Sequence, residues 1–461
     1  MSNQQVTRSR PTMWDKEQMF HFIEKMCEIP KQFDGLRRAG YEADAAVRNF
    51  LENELKSLGI NDVTQKEISF TKEMYTKWEL IINNQKFPCY FLRGAKFTDE
   101  QGIEAELLYV GNTIKGHDVK NKIIVLEMVS QNLYLDSVIK LSDFVYDPSN
   151  SLQGKVVPSA NMPANWPTEY YDAYTQGALG ILVILPFESG TNKFYPDVSL
   201  RVEQKLPGLY IGKKDGEELK KLAQQKAKAK IILTGYNDPY AKSANVVGFL
   251  KGETDDAIII SSHADSSFNG AVQDATGVSV VLALASYYAQ VPSYYRQKDI
   301  YFVLDANHYE WHYPQGAWEL FKQYPQLKDN ACLGLFVEHI GLDSTIKNDK
   351  YVPTNESLPA FLFSPSNNAL LAITKFAMQQ HQLDKTIIPS KLLPGYPGEG
   401  RASYFNNIPT YNFITGPEYV FLEDDNLEFV DKDRLEKVTK VFLEIIDWAM
   451  YKSKSTLTTI N

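Results

Sequence analysis

An apolar run at residues 257–260 leads straight into Ser261-Ser262-His263-Ala264-Asp265, and nine residues after Asp265 comes Asp274-Ala275-Thr276-Gly277. No other feature constrains the fold as much. A short, wholly apolar run reads as a strand buried on both faces, and such strands occur in parallel sheets covered by helices. His263 and Asp265 then emerge at the carboxyl end of that strand, the edge where open α/β sheets take their ligands. Asp274 stands just ahead of Thr276, read as the cap of a helix over 278–290, with the Asp274 side chain turning toward the same crevice. An imidazole nitrogen and carboxylate oxygens delivered to one sheet edge form the donor set of a zinc-type ion. The competing reading makes His263 a strand-end histidine held by Asp265. Four of the seven histidines (His263, His308, His312 and His339) fall at or just past apolar runs in one stretch, which favours a metal or catalytic site.

The same grammar recurs along the chain. Strand patterns at 246–250, 257–262, 300–305, 332–338 and 410–414 alternate with helical ones, ending in an amphipathic helix over 434–451. The fold class expected is α/β: a mostly parallel sheet sandwiched by helices. Upstream, Asp15 caps a helix carrying Met19, Phe20, Ile23 and Met26 on one face. A second helix over 42–58 stops at Gly59, and strands follow at 63–70 and 78–82. Between 87 and 236 the pattern changes to short β runs and turns, read as a smaller β-rich inserted domain. Residues 1–86 and 237–461 then form one discontinuous main domain.

At 461 residues the chain exceeds one ordinary core. Apolar residues make up 44% and charged ones 23%, as in soluble globular proteins. The net charge of −9, with no basic block interleaved with aromatics, argues against nucleic acid as a partner. The three cysteines, Cys27, Cys89 and Cys332, form neither a disulfide framework nor a Cys-x-x-Cys metal site. No stretch approaches the roughly 20 apolar residues of a membrane span, and the first residues lack the apolar core of a signal peptide. A cytoplasmic location, with no membrane partner, is the expectation.

On His263-x-Asp265 with Asp274-x-Thr276-Gly277, on Gly35-Leu36-Arg37-Arg38-Ala39-Gly40, and on Gly177-Ala178-Leu179-Gly180 ahead of a strand, the chain resembles the co-catalytic zinc aminopeptidases. These include bacterial leucyl-type aminopeptidases, glutamate carboxypeptidase II and the glutaminyl cyclases. The resemblance implies that 87–236 is a protease-associated insert, that His263 is a terminal zinc ligand, that Asp265 orients it, and that Asp274 bridges two zinc ions where both bind; one or two zinc ions are the expectation. It also implies a reaction: metal-activated water attacks a peptide or small amide substrate while a carboxylate moves its proton.

Agreement with the family pattern is uneven beyond this point. Glu338 takes the place of an aspartate ligand, with His339 as fallback because neighbours on a strand face opposite ways; a buried ion-pair role is the alternative for Glu338. The family's Glu-Glu pair falls at His308-Tyr309 when counted from the preceding strand. Counted back from Gly316-Ala317 it falls at Glu310-Trp311. An extended segment would place His308, Glu310 and His312 on one side, giving Glu310 as base, His308 as a second catalytic candidate and His312 as ligand. Where the family has its last histidine this chain has Gly398-Glu399-Gly400-Arg401. Glu399 is either the substitute ligand or an exposed turn residue, and Arg401 is a candidate grip for a substrate carboxylate. The expected function is a metal-dependent C–N hydrolase of aminopeptidase type. The alternatives are an inactive member acting as a binding scaffold, as with the transferrin receptor; a hydrolase of a small non-peptide amide or amine; and an aminoacyl cyclase.

Overall fold

The computed structural model describes residues 11–196, 200–309, 315–391 and 398–459. Its centre is the fully buried strand Ala257–His263, flanked in parallel by Asp299–Asp305 on one side and Ala331–Glu338 on the other. Thr410–Thr415 continues the parallel set beyond Ala331–Glu338. The residues of these strands are almost all buried because both faces are covered, and just over half are Ile, Val, Leu, Phe or Ala. One face carries Thr276–Tyr288, which is buried nearly all round, together with Lys16–Glu28 and Lys432–Met450. The other face carries Gly316–Gln323, packed through Ala317, Leu320 and Phe321 onto Val303 and Phe336.

Local signals explain the helix ends. The Asp15 side chain accepts from the Glu17 and Gln18 amides while Gln18 reaches back to the Asp15 amide, a reciprocal cap. The second helix is Glu42–Ser57, and Gly59 follows it at φ +93°.

One expectation changes here. The strands expected at 63–70 and 78–82 are one strand, Asp62–Ile82, since no Gly or Pro interrupts it and the antiparallel Lys228–Leu250 supplies partners along its length. That partner runs on past residue 236, pairing with Ile103–Tyr109 at one end and Asp299–Asp305 at the other. It therefore joins the sheet of 87–236 to the main sheet. Ser142–Tyr146, from within 87–236, also pairs with Thr386–Pro389 at the far edge. Among the described residues no helix is long and apolar enough to cross a membrane.

Candidate metal centre

Parallel strands share a direction, so their carboxyl ends line one edge. His263 stands opposite Asp305 in register, and Glu338 ends the strand on the other side. Each of these side chains is buried.

The His263 ring is fixed by the backbone. Its Nδ1 lies 2.8 Å from the Asp265 carbonyl oxygen and 3.5 Å from the Asp265 carboxylate, so the main chain is the nearer partner. With Nδ1–H donated to that carbonyl, Nε2 keeps the lone pair. Nε2 makes no hydrogen bond and sits 3.9 Å from Asp274 Oδ2. Burial, then the neighbouring His308, pushes His263 down to about 3, so the imidazole is neutral, the form that binds metal.

Asp274 is held on both oxygens. Oδ1 accepts from the Gly277 and His339 amides at 3.1 and 3.0 Å, and Oδ2 accepts from Ser262 Oγ at 2.7 Å. The helix begins at Thr276, two residues earlier than expected, and Asp274 satisfies one of its free amides. Thr276 instead donates its hydroxyl to the Val272 carbonyl. Burial and then Glu338 raise Asp274 well above the ordinary carboxylate range.

Glu338 and His339 both reach the centre. The strand ends at Glu338, and His339 has φ +54°, so the alternation that would separate neighbours does not extend to it. Ligand atoms of His263, Glu338 and His339 lie within 4.8 Å of one another. The expectation that only one of the pair can serve is corrected on that ground. Burial and the facing Glu399 push Glu338 up to about 7.

The sheet edge also brings in His308 and Glu399. The His308 ring stacks on His263 with centroids 4.3 Å apart and planes 8° from parallel. Its Nδ1 contacts Glu399 Oε1, and the Glu399 amide donates to Glu338 Oε1 at 3.1 Å. Glu399 is 4% exposed, so the exposed-turn reading of that residue does not hold. Burial raises Glu399, but His308, His263 and the hydrogen bond with Asp305 together outweigh it and hold the carboxyl below its usual range.

His308, one of the two positions counted from the strand Asp299–Asp305, lies within the described residues and joins the cluster. Glu310 and His312 lie outside the described residues. Arg401 is exposed on the short helix Gly400–Phe405. Asp305 was not among the sequence candidates. It accepts from Ser261 Oγ at 3.1 Å and shares a hydrogen bond with Glu399. A carboxylate closing an apolar strand beside the His263 strand was the available signal.

The donor set fits zinc. Neutral imidazole and carboxylate are its usual N and O ligands, with bonds near 2.0–2.2 Å. The unpaired His263 Nε2, with Asp274 Oδ2, Glu338 and His339 around it, forms a set of donors that would suit a cation. Gly398 guards this arrangement. It has φ +67°, and a Cβ there would overlap Glu338 Oε1. Gly398→Ala should destabilise the protein by at least about 1–3 kcal/mol and weaken zinc uptake. Thermal melting and zinc titration check both, and wild-type values for each would mean that Glu338 has room to move.

Residues 245–382 match the model of peptidase family M28. No curated protein matches the sequence. Among solved structures, the zinc aminopeptidase BSAP from Bacillus subtilis superposes with a TM-score of 0.70 at 17% identity, covering 98% of this chain and 100% of that one. The aminopeptidase from Aneurinibacillus sp. strain AM-1 gives 0.61 at 17% identity, over 97% and 96%. The peptidase M28 precursor from Shewanella amazonensis SB2B gives 0.69 at 15%, over 97% and 100%. Residues 245–382 are therefore similar to peptidase family M28, and the chain has the fold seen in the zinc aminopeptidases.

Proposed function

We propose that the protein is a zinc-dependent hydrolase of amide bonds, of aminopeptidase type, acting on peptides or small amides. One observation carries this reading. Five carboxylates (Asp265, Asp274, Asp305, Glu338 and Glu399) and three imidazoles (His263, His308 and His339) are buried together at one sheet edge. Such a concentration of acid out of water is very costly unless a cation or protons neutralise it.

In this reading His263, Asp274 and Glu338 hold the ion, with His339 beside them. A bound zinc ion supplies Lewis acidity to the scissile carbonyl and to the attacking water. The protein's own groups do the rest. Glu399 orients His308 through Nδ1, and Asp305 orients Glu399. His308 then takes the water's proton and returns it to the leaving amine, the work the family pattern gives to a glutamate. Arg401 is the candidate grip for a substrate carboxylate. Segment 87–236, the proposed protease-associated insert, reaches the loop beside the centre, where the Tyr195 carbonyl accepts from Ser267 Oγ and the Tyr195 amide donates to Phe421. The free thiols of Cys27, Cys89 and Cys332 suit a cytoplasmic setting.

The test is elemental analysis with turnover of aminoacyl p-nitroanilides, before and after chelation and zinc readdition. Protein that holds no divalent ion after zinc exposure, or hydrolyses equally well under chelator, would falsify the reading. Glu399→Gln separates two roles. As the partner of the base, its loss should lower kcat by about 10²–10⁴-fold at unchanged zinc content. A drop in zinc content would make Glu399 a ligand instead.

A further inference from the structure

We infer that Arg37 and Asp425 act together as a clamp that sets the position of Asp274, so that a charge pair lying outside the ligand set tunes metal affinity. This rests on Asp274 being a metal ligand. The loop from Asp265 to Asp274 is fastened by distant parts of the chain. Arg37 Nη2 donates to the carbonyls of Gly270 and Gln273 at 2.6 and 3.0 Å. From the opposite end of the sequence, Asp425 Oδ1 accepts from the Val272 amide and Oδ2 from the Gln273 amide, both at 2.9 Å. Four charge-assisted bonds therefore hold residues 270–273, directly ahead of Asp274. Asp425 grips two amides with its two oxygens, and Arg37 spans two carbonyls with the two hydrogens of one nitrogen, Nη2.

The surroundings leave the clamp little freedom. Arg37 is 1% exposed and Asp425 5% exposed. The Arg37 main chain is itself tied to the loop, its amide donating to Phe268 and its carbonyl accepting from Ser266. Gly270 has φ +49°, and a Cβ there would overlap Ser266 Oγ and the Gln273 carbonyl, so the loop closes tightly at the point Arg37 grips. Neither residue touches the reacting atoms; both are positioning residues.

Asp425→Asn keeps the shape but sets an NH2 against one of the two amide donors. Arg37→Lys keeps the charge but loses the planar NH2 that spans the two carbonyls. Outer partners of metal ligands are worth 10–100-fold in affinity, and a loss of that size in Zn2+ affinity is expected for each variant. Two further readouts follow in the full-length protein. Hydrogen exchange at the Val272 and Gln273 amides should speed up in Asp425→Asn, and the visible spectrum of the Co2+-loaded protein should shift. Asp425→Glu, which retains a two-oxygen acceptor, should recover part of the affinity. Wild-type Zn2+ affinity and Co2+ spectrum in both folded variants overturn the clamp. Failure of the wild type itself to bind Zn2+ overturns the metal reading beneath it. If Asp425→Asn does not fold, Arg37→Lys carries the same affinity test.

Discussion

His263→Ala and Asp274→Asn should each leave the purified protein with almost no bound zinc, where the wild type retains about one equivalent. Removing a direct ligand costs more than the 10–100-fold seen for outer partners. His263 contributes a neutral nitrogen whose tautomer the Asp265 carbonyl fixes. Asp274 contributes a carboxylate held by two amides and a hydroxyl, so neither function has a mobile substitute nearby. Elemental analysis after extensive dialysis reads the result. His339→Ala completes the set, because the ligand atoms of His263, Glu338 and His339 approach one another within 4.8 Å. Retained zinc in Asp274→Asn together with loss in His339→Ala would make the second imidazole, rather than the aspartate, the third ligand.

Metal-free protein should become less stable as pH rises from about 5 to 7, and added zinc should restore it. The sign follows from the direction of the shifts. Burial raises Asp425 to about 7, and burial with a neighbouring acid raises Glu338 to about 7 and Asp274 and Asp305 above the ordinary carboxylate range. Between the unfolded and folded pKa values the folded state binds more protons, so stability is highest below that window and is lost as pH rises through it. His263 works the other way, since its folded pKa of about 3 favours folding as pH rises toward 6.5. Four raised carboxylates outnumber it. Glu338 alone contributes about 3 kcal/mol across the window. Melting temperatures of chelator-treated protein at pH 5, 6 and 7 test this. A flat or rising trend would show that the acidic cluster is neutralised by something other than protons or metal.

The sheet was readable from individual runs. The apolar strands at 257–262, 300–305, 332–338 and 410–414 carry enough Ile, Val, Leu and Phe to declare burial on both faces, and the structure makes them parallel neighbours. Asp15 and Gly59 marked helix ends because capping is a matter of a few adjacent residues. Strand length was less legible. Residues 71–77 are mostly polar, yet they continue the strand Asp62–Ile82 because Lys228–Leu250 lies beside them. Around the centre the limits were geometric. Backbone alternation was assumed to separate Glu338 from His339, and a single positive φ removes it. Asp305 drew no attention because its chemistry depends on Glu399, ninety-four residues away.

By itself the sequence determined the α/β layering, which strand ends carry His263 and Glu338, and that Asp274 stands just ahead of a helix, because hydrophobic periodicity and short motifs are local properties of the chain. Only the tertiary structure decided that His308 is gripped by Glu399, that Asp305 joins them, and that Arg37 and Asp425 hold the loop ahead of Asp274. Those contacts join residues tens to hundreds of positions apart, and their energies depend on burial and direction, which no run of neighbouring residues encodes.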